Sequence, residues 1–373
     1  MADPSKVRLA ASEWPVHQAE SADPLAAGVI AWPAFRTDSP YNKLLYRELT
    51  HLGVAVEDFS ARRLLGPAPA VLHLHWPETV IQVPSSSAAL VRGVALLVLV
   101  WIASLRGSRI VWTVHNLHPH ERPHPRLERW FWSRFLSLLD GYIALSPGGA
   151  EAAEAEFPVL RRRTGFIIPI GHYRGSYPGS MERKEARTCL GLPATAPVYG
   201  FLGRIRPYKN VPHLIRMFRS IADPEASLLV VGQPDTEESR RAVLDAAAGD
   251  PRVRLTLEHV PDDAVQVYLR AADLVVLPFT EILNSSSAIL ALSFDRPALV
   301  PHTGAMGELQ ATAGTDWVRT FTGPLSAPEL EASMTWARTI GRGPCASLDH
   351  LGWDEIARRT HDAYRQLARS RPA

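Results

Sequence analysis

Cysteine is nearly absent from this chain: Cys189 and Cys345 are the only two among 373 residues. Neither stands in a C-x-x-C pair or in a Cys/His ligand spacing, so a disulfide-stapled secreted scaffold and a structural zinc site are both excluded as starting points, and a reduced compartment is the simplest reading. Lysine is almost as scarce, with Lys6, Lys43, Lys184 and Lys209 alone in a chain whose positive charge is otherwise arginine. An excess of one sign of charge is missing too. The formal net charge is +2, so nucleic acid is not the default partner. The opening residues, MADPSKVRLAASEWP, lack the apolar stretch of a secretory signal, and the expected location is the cytoplasm.

Long apolar runs are limited to one. From Ala88 to Leu105 (AALVRGVALLVLVWIASL) the chain approaches the roughly 18 residues that a membrane span needs. Arg92 and Gly93 interrupt this run, and the unbroken part from Val94 to Ala103 has the length of a buried core helix. The core helix is the expectation, with contact between its end and a membrane surface as the second reading.

What is present is a regular alternation of strands and helices. A chain of this length suits two domains. Short β-branched strands are expected at GVIAWP (28–33), VAVEDF (54–59), VLHLHW (71–76), IVWTVH (110–115), YIALS (142–146) and FIIPI (166–170). The Gly/Pro/Ser-rich stretch GHYRGSYPGSMERK then reads as a linker. The pattern begins again with VYGFLG (198–203), SLLVVG (227–232), VRLTLE (253–258), LVVLPF (274–279) and PALVP (297–301). Strands spaced by helices give parallel, doubly wound α/β sheets, one on either side of the linker. In such sheets ligands bind beyond the carboxyl ends of the strands.

The residues at those ends form a pattern. After VYGFLG comes GRIRPYKN, with Arg204 and Lys209 just before a helix. An isolated arginine and lysine in a turn would be ordinary surface charge; the scarcity of lysine favours a site where a compact point charge stands beside the fork of Arg204. After LVVLPF comes TEILNSSS, then a helix. Asn284 or Ser285 is the expected N-cap, and the amides of Ser285, Ser286 and Ser287 would point from the helix N-terminus toward an anion. Glu281 lies just ahead, where its charge would repel phosphate but suit the hydroxyls of a sugar. Together these residues describe a site for a sugar attached to a diphosphate.

In the first half, His115 ends its strand facing the cleft, where a neutral imidazole can hydrogen-bond a sugar hydroxyl or a developing charge. His73 and His75 alternate on a strand and so share a face, with a structural or an acceptor-contacting role open between them. His118, His120 and His124 do not have the spacing of a helical zinc pair.

In these features the sequence resembles the GT-B glycosyltransferases, in particular the nucleotide-sugar-dependent bacterial enzymes of family 4. The resemblance runs through TVHN, FLGRIRPYKN, HVPDDAVQVYLRAADLVVLP, the acidic and serine-rich turn, FDRPALVPHTGAMGE and the closing LGWDEIARRTHDAYRQL. It implies a GT-B fold of two Rossmann-like domains facing across a cleft. Residues 1–175 would bind the acceptor and 176–351 the nucleotide sugar, with a final helix (352–373) crossing back to the first domain. By position, Arg204 and Lys209 would bind the donor diphosphate, Asn284 and Ser285 to Ser287 would cap it, and Val260 would lie near the base. His115 and Glu281 would serve the donor sugar at the reacting carbon. The family's pair of glutamates is not intact, since the place of the second holds Leu290.

The reaction implied is transfer of a sugar from a nucleoside diphosphate, a UDP- or GDP-sugar, to a hydroxyl of a sugar, natural-product or lipid-linked acceptor. It would use no cofactor and no metal, there being no D-x-D motif. Retention of configuration is the family's usual outcome; inversion would need a base from the first domain, for which Asp38 and Glu121 are the candidates. A nicotinamide-dependent oxidoreductase lacks its G-x-G-x-x-G turn here, and a non-catalytic sugar-nucleotide binder is the remaining alternative. Contact with a membrane surface would come from Arg106 and Arg109 at the apolar helix, and from ERPHPRLERWFWSRF. That stretch mixes Arg122, Arg126, Arg129 and Arg134 with Trp130, Phe131, Trp132 and Phe135, an arrangement that fits an interfacial anchor or a sheet-packing helix with a solvated face.

Overall fold

The computed structural model describes residues 23–36, 40–118, 123–343 and 345–370. Strands β1 (Val29–Trp32), β2 (Val56–Asp58), β3 (Val71–Leu74), β4 (Arg109–Val114), β5 (Gly141–Ala144) and β6 (Thr164–Ile167) form one six-stranded sheet in the order β2-β1-β3-β4-β5-β6. A second six-stranded sheet contains β7 (Val198–Leu202), β8 (Ser227–Val231), β9 (Val253–Thr256), β10 (Leu274–Val276), β11 (Ala298–Pro301) and β12 (Val318–Phe321), in the order β12-β11-β10-β7-β8-β9. Every pairing is parallel. The inner strands are buried on both faces, as the uninterrupted burial of β3, β5, β8 and β11 requires. The strand order reverses between β1 and β3 in the first sheet and between β7 and β10 in the second. These are the points where a doubly wound sheet opens a crevice.

β12 is absent from the strands expected above. Its sequence, VRTF, buries only the two end residues, so it carries no apolar run to detect. It is held instead as an edge strand by its register on β11, from Ala298–Val318 to Pro301–Phe321.

The Gly/Pro-rich stretch after β6 is tied down at several points. Tyr173 is buried, its N–H donates to Ser293 Oγ at 2.9 Å, and the Trp353 indole donates to the His172 carbonyl at 2.6 Å. Trp353 opens the last helix, Trp353–Arg369, whose buried residues Ile356, Thr360, Ala363, Tyr364 and Leu367 fall on one face. That face packs on the first-sheet helix Pro40–His51, and Leu367 lies against Gly141 of β5. A second contact crosses at the strand ends. The Gly148 N–H, at the start of the Pro147–Glu156 helix after β5, donates to Glu308 Oε1 at 2.8 Å, a carboxylate on a helix N-terminus.

The apolar run differs from its expectation. Ser86–Leu105 is one unbroken helix. Arg92 does not interrupt it because its side chain is exposed, and Gly93 is buried where a Cβ would stand 2.9 Å from Ile81 and 3.6 Å from Phe131. The core reading holds for one face only: Ala89, Gly93, Leu96, Leu97, Val100 and Ala103 are buried, and the opposite face is exposed. In the neighbouring helix Pro125–Leu138 the aromatics Phe131, Trp132 and Phe135 are core residues, so the sheet-packing reading holds for them. Asp38, His120, Glu121 and Arg122 lie outside the described residues.

Candidate functional site

The second-sheet half of the site is built on the two strands that flank its switch point. β7 ends at Leu202, and Gly203 turns the chain with a φ of 140°, a conformation open to glycine and strained for other residues. A short 3₁₀ turn, Pro207–Lys209, follows, then Asn210 in the left-handed region and the helix Val211–Arg219. This folds Lys209 back under the strand end, with Nζ 5.4 Å from the Phe279 ring centre and 6.0 Å from that of Phe201. The ammonium is buried. Burial, then the charges of Arg206 and Arg204, push its pKa down to about 8. Arg204 is exposed. Arg206 is a third cation of this turn that the sequence reading passed over.

β10 leads into the serine turn. Ser285, not Asn284, is the N-cap of the helix Ser286–Ser293, its Oγ accepting from the Ala288 N–H at 3.1 Å. Asn284 instead turns toward the first sheet. Its Oδ1 lies 3.9 Å from where a Cβ would stand on Gly149, and its Nδ2 is buried without a hydrogen-bond partner among the described residues. Ser286 is exposed and hydrogen-bonds Tyr173. Ser287 approaches the same glycine as the cation. A Cβ placed on Gly203 would sit 3.2 Å from Ser287 Oγ and 3.1 Å from Lys209 Nζ, so the ammonium and the hydroxyl converge on the bare face of this glycine. Three of the elements expected at the site, the lysine, the strand end and the serine turn, are thereby brought together.

The remaining residues stand apart from this convergence. Glu281 is exposed and makes no hydrogen bond or ion pair among the described residues. Val260 is half-buried and packs on the core of the second sheet. Leu290, at the position that the resemblance assigns to the second glutamate, is half-buried and packs against the same core.

On the first sheet, β3 and β4 lie side by side with His73 opposite Val111. The strand alternation therefore puts His73, His75, Thr113 and His115 on one face. His75 Nδ1 meets His115 Nε2 at 2.9 Å, and His75 Nε2 meets the Tyr46 hydroxyl. That hydroxyl lies 2.9 Å from His73 Nδ1, which is also 2.6 Å from the Tyr364 hydroxyl of the crossing helix. His73 Nε2 closes the chain at Thr113 Oγ1, 2.7 Å away. His73 and His75 are buried and His115 is half-buried. Burial pushes His73 and His115 down to about 3 and His75 well below its ordinary value, so all three rings are neutral at physiological pH. Trp76 stacks on His115, with ring centres 4.2 Å apart. The alternation of His73 and His75 was the one sign of this network in the sequence.

Residues 182–283 match the family described as Glycosyl transferases group 1. Over 326 residues, 87% of this chain and 88% of the relative, the sequence is 32% identical to a protein of Xanthomonas campestris pv. campestris named GDP-mannose:glycolipid 4-beta-D-mannosyltransferase. The chain is a GT-B glycosyltransferase. This glycosyltransferase is also 28% identical, over 56% of its length and 49% of the relative's, to a D-inositol 3-phosphate glycosyltransferase of Rhodococcus jostii. Its fold is similar to that of Anabaena HepE in complex with UDP and glucose, with a TM-score of 0.60, 16% identity, and coverage of 91% of this chain and 95% of that one. A glycosyltransferase from Rickettsia africae gives a TM-score of 0.63 at 11% identity, covering 92% and 99% of the two chains. The structural likenesses bear on the fold alone.

Proposed function

We propose that this glycosyltransferase moves mannose from GDP-mannose to a hydroxyl of a lipid-linked sugar acceptor, with inversion at the anomeric carbon and without a metal ion. The observation that carries the reading is the 32% identity to the Xanthomonas mannosyltransferase across 88% of that protein. Its name specifies the donor, a glycolipid acceptor and a β linkage. Mannose is α-linked to the diphosphate in GDP-mannose, so a β-mannoside requires inversion. The packed Leu290 in place of the second family glutamate agrees with a departure from the retaining pattern. Inversion needs a base from the first domain, and Asp38 and Glu121 are the candidates.

The reaction breaks the bond between the anomeric carbon and a phosphate oxygen while the acceptor oxygen bonds to the opposite face of that carbon. Negative charge grows on the departing diphosphate. Lys209 and Arg204, with the amides of Ser285, Ser286 and Ser287 at a helix N-terminus, meet that charge and stabilise the transition state more than the ground state. His115 and Glu281 orient the sugar, and Val260 borders the base. A lipid-linked acceptor requires work at a membrane surface, on its cytoplasmic face.

The test is to incubate the full chain with radiolabelled GDP-mannose and an alkyl glycoside acceptor, following GDP release and the anomeric configuration of the product by NMR. Acceptor-dependent formation of a β-mannoside is expected. Transfer from UDP-sugars only, an α product, or no transfer with any acceptor would overturn the reading.

A further inference from the structure

The helix Ser86–Leu105 has two apolar faces, and only one has a partner. Ala89, Gly93, Leu96, Leu97, Val100 and Ala103 are buried against the first sheet and its neighbouring elements. Leu90, Val91, Val94, Val98, Trp101 and Leu105 are between 40% and 67% exposed. At 3.6 residues per turn these six fall within one continuous stripe of roughly 100° that runs the length of the helix. Six of the eleven large apolar side chains most exposed among the described residues thus lie on one helix. An exposed apolar stripe of this kind marks a contact surface rather than ordinary surface scatter.

Charge says what that surface meets. On one flank Arg106 is bound to the carbonyls of Leu64 and Gly66, which brings up the short helix Ala61–Leu65 with Arg62 and Leu65 exposed. The other neighbour is Pro125–Leu138, with Phe131 inward at Gly93 and Arg126, Arg129 and Arg134 exposed. Among the described residues of 61–138 the only acidic ones are Glu78 and Glu128, and both are buried. An apolar stripe whose neighbouring helices expose arginines, with Glu57 ion-paired to Arg63 and no exposed acid among the described residues of 61–138, fits an anionic lipid surface.

We infer that this helix lies in the plane of an anionic membrane, with its outer stripe among the acyl chains and the flanking arginines at the headgroups. It does not cross the bilayer, because its inner face is already part of the first domain's core and the chain enters β4 within a few residues of its end. Between the parallel strands β3 and β4 it runs antiparallel to both. Its first turns therefore lie at their carboxyl edge, where His75 and His115 stand. Docking on this face brings the cleft to the level where a lipid-linked sugar is presented. Its purpose rests on the acceptor proposed above, while its measurement does not.

The experiment is co-sedimentation of the full chain with vesicles of phosphatidylglycerol and phosphatidylcholine, and with vesicles of phosphatidylcholine alone. Wild type should pellet with the anionic vesicles, less so in high salt. Arg126→Gln and Arg129→Gln, both at the surface, should each weaken binding by about five-fold. The double variant Val98→Glu/Trp101→Glu should weaken it by at least about ten-fold, since binding scales with buried apolar area. Failure of wild type to pellet with anionic vesicles, or unchanged binding by the double variant at unchanged Tm, would overturn the inference. So would a lipid-free dimer that the double variant converts to monomer, because the face would then belong to a second copy. Mannose transfer to a soluble alkyl glycoside, measured on the same proteins, separates the two readings. Vesicle binding without transfer defeats the proposed reaction and leaves the docking face standing; transfer without vesicle binding does the reverse.

Discussion

His75 Nδ1 and His115 Nε2 face each other at 2.9 Å, and since both rings are neutral, one of the two nitrogens carries the proton and the other receives it. Which one is settled a bond further in, at the Tyr46 hydroxyl. If Tyr46 donates to His75 Nε2, then His75 donates from Nδ1 and His115 holds its own proton on Nδ1. Reversing every bond leaves that nitrogen bare. Nδ1 of His115 has no hydrogen-bond partner among the described residues, so the buried chain decides whether the site is offered a donor or an acceptor there. Tyr46→Phe, which removes the hydroxyl and little volume, is expected to lower kcat by roughly ten-fold or more, the scale on which orienting partners act, with donor KM much less changed. Histidine side-chain ¹⁵N shifts should report a changed tautomer at His115. Wild-type kcat together with unchanged ¹⁵N shifts would remove this role.

The same burial has a consequence for stability. Folded His73 titrates near pH 3 and His75 lies well below its ordinary value, whereas both titrate near 6.5 in the unfolded chain. Below pH 6.5 the unfolded state binds more protons, so stability that is full above 6.5 is lost as pH falls. Each ring contributes about 1.4 kcal/mol per pH unit within its window. Tm should therefore fall progressively between pH 6.5 and pH 5, and fall less in a His73→Phe/His75→Phe variant. Parallel profiles for the two proteins would show that the histidines are not the cause.

Gly203 is the position where the smallest addition should do the most damage to donor binding. A methyl group there is strained by the φ of 140°, at a cost of about 1–3 kcal/mol. It would also occupy the space 3.1 Å from Lys209 Nζ and 3.2 Å from Ser287 Oγ. Gly203→Ala is expected to weaken GDP binding by at least about ten-fold in calorimetry, in a protein that still folds. Wild-type affinity would mean that the diphosphate lies elsewhere.

Much of this architecture could be read from the sequence because parallel strands buried on both faces announce themselves as short β-branched runs. VLHLHW, SLLVVG and PALVP needed no structural help. VRTF did, since an edge strand with Arg319 and Thr320 half-exposed lacks that signal. The cations at Arg204 and Lys209 were visible because they follow a strand directly. The His75–His115 contact was not, because it depends on which strands are neighbours and on the register that sets His73 opposite Val111. The helix Ser86–Leu105 misled for a related reason: composition reports how apolar a helix is, and only its packing shows that one of the two apolar faces is left uncovered.

The serine turn allows a test that separates amide from hydroxyl. Ser286 is the first residue of its helix, with Ser285 extended at φ −134° and ψ 101° as the cap. Proline is well suited to such a first position, and an extended residue before it is what proline prefers. Ser286→Pro should therefore keep the helix and delete one N–H. It is expected to weaken GDP binding by roughly ten-fold or more, as loss of a hydrogen bond to a charged group does, whereas Ser286→Ala, which keeps the amide, should be mild. Equal effects would assign the interaction to the hydroxyl.

Lys209 supplies the last prediction, because its buried ammonium carries a pKa of about 8 in the free protein. A diphosphate placed against it stabilises the charged form, so binding must raise that pKa. The linkage then has one sign: affinity for GDP is full below pH 8 and declines as pH rises through 8, since above that value the empty site must first take up a proton. The decline should approach ten-fold per pH unit until the pKa of the bound state is reached. Lys209→Met should bind GDP at least about ten-fold more weakly at pH 7, as expected for loss of a charge-assisted contact, and should lose the decline above pH 8. Calorimetry between pH 6.5 and pH 9.5 reads both effects. If the variant kept the wild-type pH dependence, the titrating group would be another residue, and the ammonium beneath Gly203 would not be the one that meets the diphosphate.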